Sequence, residues 1–354
     1  MAIADDILFG RMGRLATVTL NRPAALNAFT LAMYRAFDPM LRQWAVDPTI
    51  RGVLIEGAAG RAFCAGGDIR AIYEAGRGIS ADATLTSRFF REEYELIRRI
   101  HRYPKPYVAI LNGIAMGGGM GVSVNGGWRI ATENALFAMP ETGIGLFPDV
   151  GATRFLNLCP GHVGRWLGLT GARIGAADAL YCGLATHFVR RERVPALIAA
   201  LAAADGIEEA LAAFCEDPGE PPLRGRRAAI DRAFAGATVE AILDALAAEA
   251  AGAGPDAEWA AETRAGLLAK SPTSLKITLR QLILGRGFDI EAALALEYRL
   301  TQHVMRNHDF YEGVRAALID RDRRPRWRPA NLADIGDDVV NGYFAPLGDA
   351  ELRF

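Results

Sequence analysis

Glu141 and Asp149 lie eight positions apart in "FAMPETGIGLFPDVGATRFL" (137–156), a segment made mostly of apolar residues, glycine and proline. Carboxylates are seldom fully buried without a partner. Burial raises the pKa of a carboxyl toward neutrality, where it works well as a general acid or base. The structural alternative is that Glu141 caps a helix after Pro140 and that Asp149 is a turn residue after Pro148. Taken alone, the segment favours that alternative.

A glycine-rich turn precedes this segment in "LNGIAMGGGMGVSVNGG" (111–127), where a strand leads through three consecutive glycines toward a helix of small residues. The free N–H groups and the dipole at a helix start favour negative charge, so the turn could hold an oxyanion. The equal alternative is a tight strand-to-helix turn or a phosphate cradle. No Gly-Lys-Ser/Thr follows, and the segment is a poor dinucleotide fingerprint.

A second glycine-rich turn, "GRAFCAGGDIR" (60–70), follows the apolar run at 52–57. It could supply a second N–H donor to the same oxyanion, and losing one such donor typically lowers turnover by roughly 10²–10³. Cys64 in this turn is a weak candidate nucleophile, because no histidine lies near it in the sequence and small buried cysteines are usually inert.

Other catalytic chemistries have little support. The sequence contains neither a G-x-S-x-G nor an H-E-x-x-H motif, and its histidines show no metal spacing. The four cysteines are scattered without a C-x-x-C pair, so we predict no zinc site and no disulfide framework. We therefore expect no metal site, and a reducing compartment.

Strands alternate with helices in the first half of the chain. The predicted strands are 15–20, 52–57, 107–113 and 135–140. Thr30 is suited to cap a helix that is bent or interrupted at Pro39, and residues 87–103 place Phe90 and Tyr94 at helical spacing. The pattern predicts an α/β fold of repeated units under helical layers.

Length and charge bound the remaining possibilities. The chain has 354 residues and a formal net charge of −1, so nothing indicates nucleic acid or an anionic membrane surface as a partner. No apolar run approaches the ~20 residues of a membrane span, and the N-terminus resembles neither a signal nor a transit peptide. We expect a cytoplasmic protein. After about residue 190 the sequence becomes alanine-rich and helical, which predicts domains at 1–200 and 201–354.

Four segments in order resemble the enoyl-CoA hydratase/isomerase (crotonase) superfamily over roughly residues 8–190. They are "TLNRPAALNAF", "AFCAGGDI", "KPYVAILNGIAMGGGMG" and "FAMPETGIGLFPDVGATRFL". Within the superfamily, further segments resemble the 3-hydroxyisobutyryl-CoA hydrolase group across nearly the whole chain. These include "FREEYEL", "SPTSLKITLRQL", "EYRLTQ" and "HDFYEGVRAALIDRDRRPRWRPA".

The resemblance implies a crotonase-like fold of stacked ββα turns with a helical C-terminal region, and a CoA thioester as ligand. The thioester oxygen would lie between the backbone N–H groups of Ala65 and Gly118. Asn27 and Ala28 would flank the bound CoA. The backbone along its adenine and pantetheine would be that of Cys64, Gly66, Gly67, Asp68 and Ile69.

One departure from the superfamily pattern separates two activities. Hydratases carry a glutamate at the position of Gly121, and their second glutamate matches Glu141. Because water addition normally uses both carboxylates, hydratase activity is in doubt. Glu93 matches a residue with which the hydrolase group contacts the acyl substrate, whereas without the resemblance it would be read as an exposed helix residue.

The resemblance therefore implies a thioesterase that hydrolyses 3-hydroxyisobutyryl-CoA to 3-hydroxyisobutyrate and CoA in valine breakdown. Glu141 would attack the carbonyl or activate water, and Asp149 would orient water or substrate or share the proton. The alternatives are an enoyl-CoA hydratase or isomerase on the same scaffold and a non-catalytic acyl-CoA-binding protein. No cofactor beyond the CoA of the substrate is expected, and the chain could form oligomers.

Overall fold

The computed structural model describes residues 6–80, 82, 84–204 and 206–354. The chain divides into two compact units, each built from three separate segments. The sheet unit comprises Met1–Asp68, Glu95–Phe137 and Ile174–Pro222. The helical unit comprises Ile69–Tyr94, Ala138–Arg173 and Leu223–Phe354.

The strands form two sheets. They are β1 (Ile7–Met12), β2 (Leu15–Leu20), β3 (Gly52–Gly57), β4 (Ala62–Cys64), β5 (Tyr107–Leu111), β6 (Ile114–Met116), β7 (Trp128–Ala131), β8 (Leu136–Ala138) and β9 (His187–Phe188). The larger sheet has the order β1-β2-β3-β5-β7-β9, and the smaller has the order β4-β6-β8. In the larger sheet only the β1–β2 pair is antiparallel among the described strands.

Strand β5 of the larger sheet is an apolar run, as expected of a parallel strand whose two faces are both covered. All five residues of β5 are buried, and its Val108 pairs with Leu54 of β3 and with Trp128 of β7. Leu54, Val108 and Ile130 belong to the same apolar cluster as Leu197 and Leu201 of a following helix. This cluster is the core of the sheet unit.

Helices fill the rest of the chain. They are α1 (Leu31–Val46), α2 (Ile69–Gly76), α3 (Leu85–His101), α4 (Gly118–Val124), α5 (Ala152–Phe155), α6 (Val163–Thr170), α7 (Ala176–Tyr181), α8 (Val194–Ala203), α9 (Ile207–Ala212), α10 (Pro222–Ala233), α11 (Val239–Ala250), α12 (Ala257–Leu268), α13 (Pro272–Leu284), α14 (Ile290–Val304), α15 (His308–Val314) and α16 (Asp337–Tyr343). No helix among the described residues is long and apolar enough to cross a membrane.

Helix α1 begins where the sequence predicts, with the Thr30 hydroxyl accepting from the Met33 amide at 3.2 Å. The helix continues through Pro39 without interruption. An interior proline typically costs ~3 kcal/mol. Burial of one face of the helix, including Phe37, Leu41 and Trp44, offsets that loss.

The division of the chain differs from the predicted boundary near residue 200. Residues 201–354 are mainly helical, as predicted. However, the helical unit also takes the segments Ile69–Tyr94 and Ala138–Arg173 from the first half. Composition changes along the chain, whereas compactness follows packing between distant segments, so the boundary in composition is not a boundary in structure.

Candidate active site

Glu141 begins a 3₁₀ turn, Glu141–Ile144, directly after β8 and Pro140. Its side chain is buried, and among the described residues its Oε2 atom has no hydrogen-bond partner. Burial raises the pKa of Glu141 well above its ordinary value, and the neighbouring Asp149 adds to the effect. The Lys270 ammonium acts in the opposite direction. The result is a desolvated carboxyl with a free oxygen, which is what a base or a nucleophile requires.

Asp149 is buried beside it and has a defined partner. The Tyr94 hydroxyl donates to its Oδ2 at 2.6 Å. Burial raises the pKa of Asp149 to about 6, and the Tyr94 hydrogen bond opposes the rise because it stabilises the ionised form. Asp149 is therefore mostly a carboxylate at neutral pH while remaining close to its titration range.

The backbone after Asp149 takes an unusual course. Val150 has a φ of 57° and Gly151 a φ of 90°, so two consecutive residues lie in the left-handed region. This conformation is easy for glycine but strained for a β-branched residue, at about 1–3 kcal/mol. The surrounding structure must therefore fix this loop, which consists of residues 148–153 and carries Asp149.

Two more carboxylates and a lysine act electrostatically on this pair. Glu93 in α3 is 2% exposed, and its charge raises the pKa of Glu141 and of Tyr94. It is a buried acid beside the pair, so its interpretation as an exposed helix residue is wrong. Glu297 in α14 is fully buried, and its pKa is raised first by burial and also by Asp149. Burial lowers the pKa of Lys270, and Glu141 opposes that shift.

The two glycine-rich turns meet in the sheet unit. Strands β4 and β6 pair in parallel, which brings the turn after Cys64 beside the turn after Met116. A Cβ atom at Gly119 would overlap the Cys64 carbonyl, and one at Gly66 would lie 3.6 Å from the Gly118 nitrogen. At Gly119 the backbones approach this closely because glycine carries no side chain, whereas at Gly66 the φ of 117° is what favours glycine.

Gly118 and Gly67 are the amides suited to bind an oxyanion here. Gly118 is the first residue of α4, so its N–H has no acceptor within the helix. The expected second donor, Ala65, is contradicted by the structure, because its N–H donates to the Leu26 carbonyl at 3.0 Å. Within the described residues, the Gly67 N–H has no protein acceptor. The second candidate donor to an oxyanion is therefore the amide of Gly67, two residues after Ala65.

The side chains of Asn27 and Cys64 both form hydrogen bonds within the turns. Asn27 is 1% exposed; its Oδ1 accepts from the Arg22 amide at 2.9 Å and its Nδ2 donates to the Ala62 carbonyl at 2.9 Å. The Cys64 thiol is fully buried and bonds to Gly66, so it is not a nucleophile at a surface site. Both side chains stabilise the turns, which leaves only their backbone for a ligand.

The other residues predicted to lie along the bound CoA include Ala28, Asp68 and Ile69. Ala28 is half-buried, and its carbonyl accepts from the Arg22 guanidinium at 2.6 Å. Asp68 forms an ion pair with Arg22 at 3.2 Å. Ile69 is the first residue of α2. The structure thus brings Glu93, Glu141 and Asp149 together in the helical unit, and Gly66, Gly67 and Gly118 together in the sheet unit.

The sheet unit, with its two paired glycine turns, has the organisation expected of a crotonase-like fold, and comparison with known proteins agrees with that fold class. The family model for enoyl-CoA hydratase/isomerase matches residues 15–344. The chain belongs to this family.

Individual relatives carry different names. A protein of Danio rerio named 3-hydroxyisobutyryl-CoA hydrolase, mitochondrial, is 45% identical over 99% of this chain and 92% of its own length. The structure of a carnitinyl-CoA dehydratase from Mycobacterium thermoresistibile has a TM-score of 0.91 at 40% identity, covering 99% of both chains. That of an enoyl-CoA hydratase from Rhodobacter sphaeroides 2.4.1 has a TM-score of 0.90 at 42% identity, covering 99% of this chain and 100% of its own. The predicted family and fold are confirmed.

Sequence reasoning missed several residues of the site. Tyr94 was assigned only to the apolar stripe of a helix, because nothing in its spacing distinguishes a core tyrosine from a hydrogen-bond donor. Lys270 and Glu297 lie far along the chain from Glu141 and Asp149, and their proximity arises from helix packing. The Leu26 carbonyl accepts a hydrogen bond from the Ala65 amide, and this leaves the Gly67 amide free instead. No local sequence pattern shows which of the two amides is occupied.

Proposed function

We propose that this chain hydrolyses 3-hydroxyisobutyryl-CoA to 3-hydroxyisobutyrate and free CoA. The observation that carries the proposal is Glu141, a buried carboxyl with an unpartnered oxygen and a raised pKa. The Danio rerio relative supports the choice of substrate by its name. Release of free thiol from 3-hydroxyisobutyryl-CoA, followed with a thiol reagent, tests the proposal directly.

The chemistry divides between the two sets of residues. The amides of Gly67 and Gly118 stabilise the negative charge that develops on the thioester oxygen. Glu141 either takes a proton from an attacking water or attacks the carbonyl carbon itself. A C–O bond forms, the C–S bond breaks, and the CoA thiolate leaves and takes up a proton. Asp149, held ionised by Tyr94, orients the water or the substrate.

The two routes for Glu141 differ in where solvent oxygen appears. Attack by Glu141 forms a mixed anhydride, and water can then open the anhydride at the Glu141 carbonyl. Turnover in ¹⁸O-labelled water followed by peptide mass spectrometry distinguishes the routes, because label in Glu141 excludes simple water activation.

Gly121 argues against the hydratase alternative. It lies inside α4, where its amide donates to the Gly117 carbonyl at 3.1 Å and its carbonyl accepts from Asn125 at 2.9 Å. The position therefore serves the helix backbone and offers no carboxylate for a second proton transfer.

Hydration remains the second candidate, because two solved relatives carry the names hydratase and dehydratase. Crotonyl-CoA discriminates the two activities. Loss of enoyl absorbance without thiol release would establish a hydratase and overturn the proposal. Thiol release from 3-hydroxyisobutyryl-CoA with crotonyl-CoA unchanged supports the hydrolase. Binding of both thioesters with neither change would indicate the non-catalytic alternative.

The proposed site should also accept a closely related acyl group. 3-Hydroxypropionyl-CoA differs from the proposed substrate by one methyl group, and an apolar pocket distinguishes such a difference by only ~1–3 kcal/mol. We expect both thioesters to be hydrolysed, with kcat/KM values that differ by about 5- to 150-fold.

We also propose that no metal or redox cofactor takes part, because a thioester is already activated and backbone amides can stabilise the oxyanion. Enzyme dialysed against a chelator should keep its rate, and a lost rate restored by a metal would contradict this. A cytoplasmic location stays a prediction, as does the formation of oligomers.

A further inference from the structure

The loop 148–153 is clamped by two helices of the same unit. It contains Asp149, and its left-handed residues Val150 and Gly151 give it a conformation that a free chain would seldom adopt. Within the loop, the Ala152 amide donates to the Asp149 carbonyl at 2.9 Å. The side chains that hold it come from α13 and α14.

Glu297 of α14 makes the more direct attachment. One carboxylate oxygen accepts from the Gly151 amide at 2.7 Å, and the other accepts from the Thr153 amide at 2.8 Å. A carboxylate that accepts at both oxygens fixes the orientation of two amides at once. The contacts span 146 and 144 residues of sequence, and Glu297 is fully buried, so solvent does not compete for them.

Gln281 of α13 completes the clamp from the other end of the loop. Its Nε2 donates to the Pro148 carbonyl at 2.7 Å and to the Thr153 hydroxyl at 2.7 Å. Pro148 directly precedes Asp149, so the residues on both sides of Asp149 are held by buried side chains. The Asp149 carboxylate is meanwhile held by Tyr94 at 2.6 Å.

Burying a carboxyl group is costly. Burial and the nearby Asp149 raise the pKa of Glu297 to about 8, whereas the hydrogen bonds from Thr153 and Gly151 oppose that rise because they favour the ionised form. An apolar residue at position 297 would avoid the cost of burial, but it would leave the amides of Gly151 and Thr153 buried without acceptors. The carboxyl group is thus matched to the backbone of this loop.

We propose that Glu297, together with Gln281, is a positioning residue that holds the loop 148–153 in its left-handed conformation and so directs the Asp149 carboxylate to Tyr94. This role rests on the proposed function only in that Asp149 takes part in turnover. The hydrogen bonds of Glu297 are to the backbone of the loop, and its role does not require contact with a substrate.

The test is a double-mutant cycle between Glu297→Gln and Asp149→Asn. Glutamine keeps the size of the side chain but turns an NH₂ group toward one of the two amides. We expect Glu297→Gln to lower kcat by about 10- to 100-fold, because small misplacements of a catalytic group have effects of that order. KM should stay within about twofold. In the Asp149→Asn background the same change should have little further effect, whereas independent roles would multiply the two losses.

Glu291→Gln, on the same helix and half-buried, is the matched control and should leave kcat unchanged. If Glu297→Gln does not fold, as judged by circular dichroism and melting temperature, Gln281→Met takes its place in the same cycle. Multiplicative losses with either variant would overturn the proposal.

A second measurement is independent of turnover. The pKa of Asp149, followed by ¹³C NMR and assigned with Asp149→Asn, should rise in Gln281→Met as the Tyr94 hydrogen bond weakens, because this variant loosens the loop without removing a charge near Asp149. An unchanged pKa would overturn the positioning role even in an active enzyme. If the wild type fails to release thiol but the pKa still rises, the proposed function fails and the positioning role stands.

Discussion

The hydrogen bond from Tyr94 to Asp149 offers the sharpest quantitative test of the site. Tyr94→Phe removes one hydroxyl from a fully buried ring and leaves the ring packing intact. The bond is 2.6 Å long and its acceptor is ionised. Hydrogen bonds to charged groups are worth about 1.5–3 kcal/mol, and 1.36 kcal/mol corresponds to one pKa unit.

The direction of the effect follows from which form the bond stabilises. Tyr94 favours the carboxylate, so its removal raises the pKa of Asp149, from about 6 to about 7–8. At pH 7 the ionised fraction then falls from about 90% to about 10–50%. If Asp149 acts as a carboxylate, kcat/KM at pH 7 should fall about 2- to 10-fold and recover above pH 9.

The assay is thiol release from 3-hydroxyisobutyryl-CoA between pH 5 and 10, with ¹³C titration of Asp149 beside it. Tyr298→Phe is the matched control, because its ring packs against Tyr94 with centroids 6.5 Å apart and its hydroxyl accepts from Arg91 instead. A Tyr94→Phe loss of equal size at pH 7 and pH 9, or none at either, would refute the reasoning.

Three further predictions concern the other parts of the site. Glu141→Gln should lower thiol release by about 10²–10⁴-fold while the melting temperature holds or rises, because a buried carboxyl is replaced by a neutral amide; a variant at full rate would remove Glu141 from its role. Gly119→Ala should separate the two glycine turns and lower kcat by at least about 10²-fold. Gly127→Ala, where a Cβ meets open space, should leave kcat unchanged. Equal rates for the two variants would contradict the oxyanion assignment. Lys270→Met should raise the pKa of Glu141, because the ammonium group favours the ionised carboxyl. The acidic limb of the pH–rate profile should therefore move to higher pH. An unmoved limb would show that Lys270 does not influence the ionisation of Glu141.

Much of this site could be predicted from sequence, but only where chemistry is local. The apolar strands β2, β3 and β5 were predicted because their composition alone indicates burial. The three-residue strands β4 and β6 were not, because they are too short to show a period, although they bring the glycine turns together. Glu141 and Asp149 stood out because two acids in an apolar segment are unusual.

The groups that tune those acids could not be found in the same way. Whether Tyr94 is a core residue or a donor depends on a contact made across 55 residues, and whether Ala65 or Gly67 offers a free amide depends on Leu26. Family resemblance assigns residues to a motif, but the hydrogen bonds of a turn decide which amide of the motif is available.

The interleaving of the two units also bears on how the enzyme is made. The helical unit needs segments from both halves of the chain, with Glu93 and Asp149 synthesised early and Glu297 in the last segment, Leu223–Phe354. The last segment of the sheet unit ends at Pro222, so this unit can begin to fold before synthesis is finished. The early segments of the helical unit cannot pack fully until the segment Leu223–Phe354 has been synthesised. A fragment that ends near residue 200 would contain Glu141 and Asp149 but neither Lys270 nor the clamp that holds the acidic loop. Catalytic competence is therefore one of the last properties that the growing polypeptide acquires.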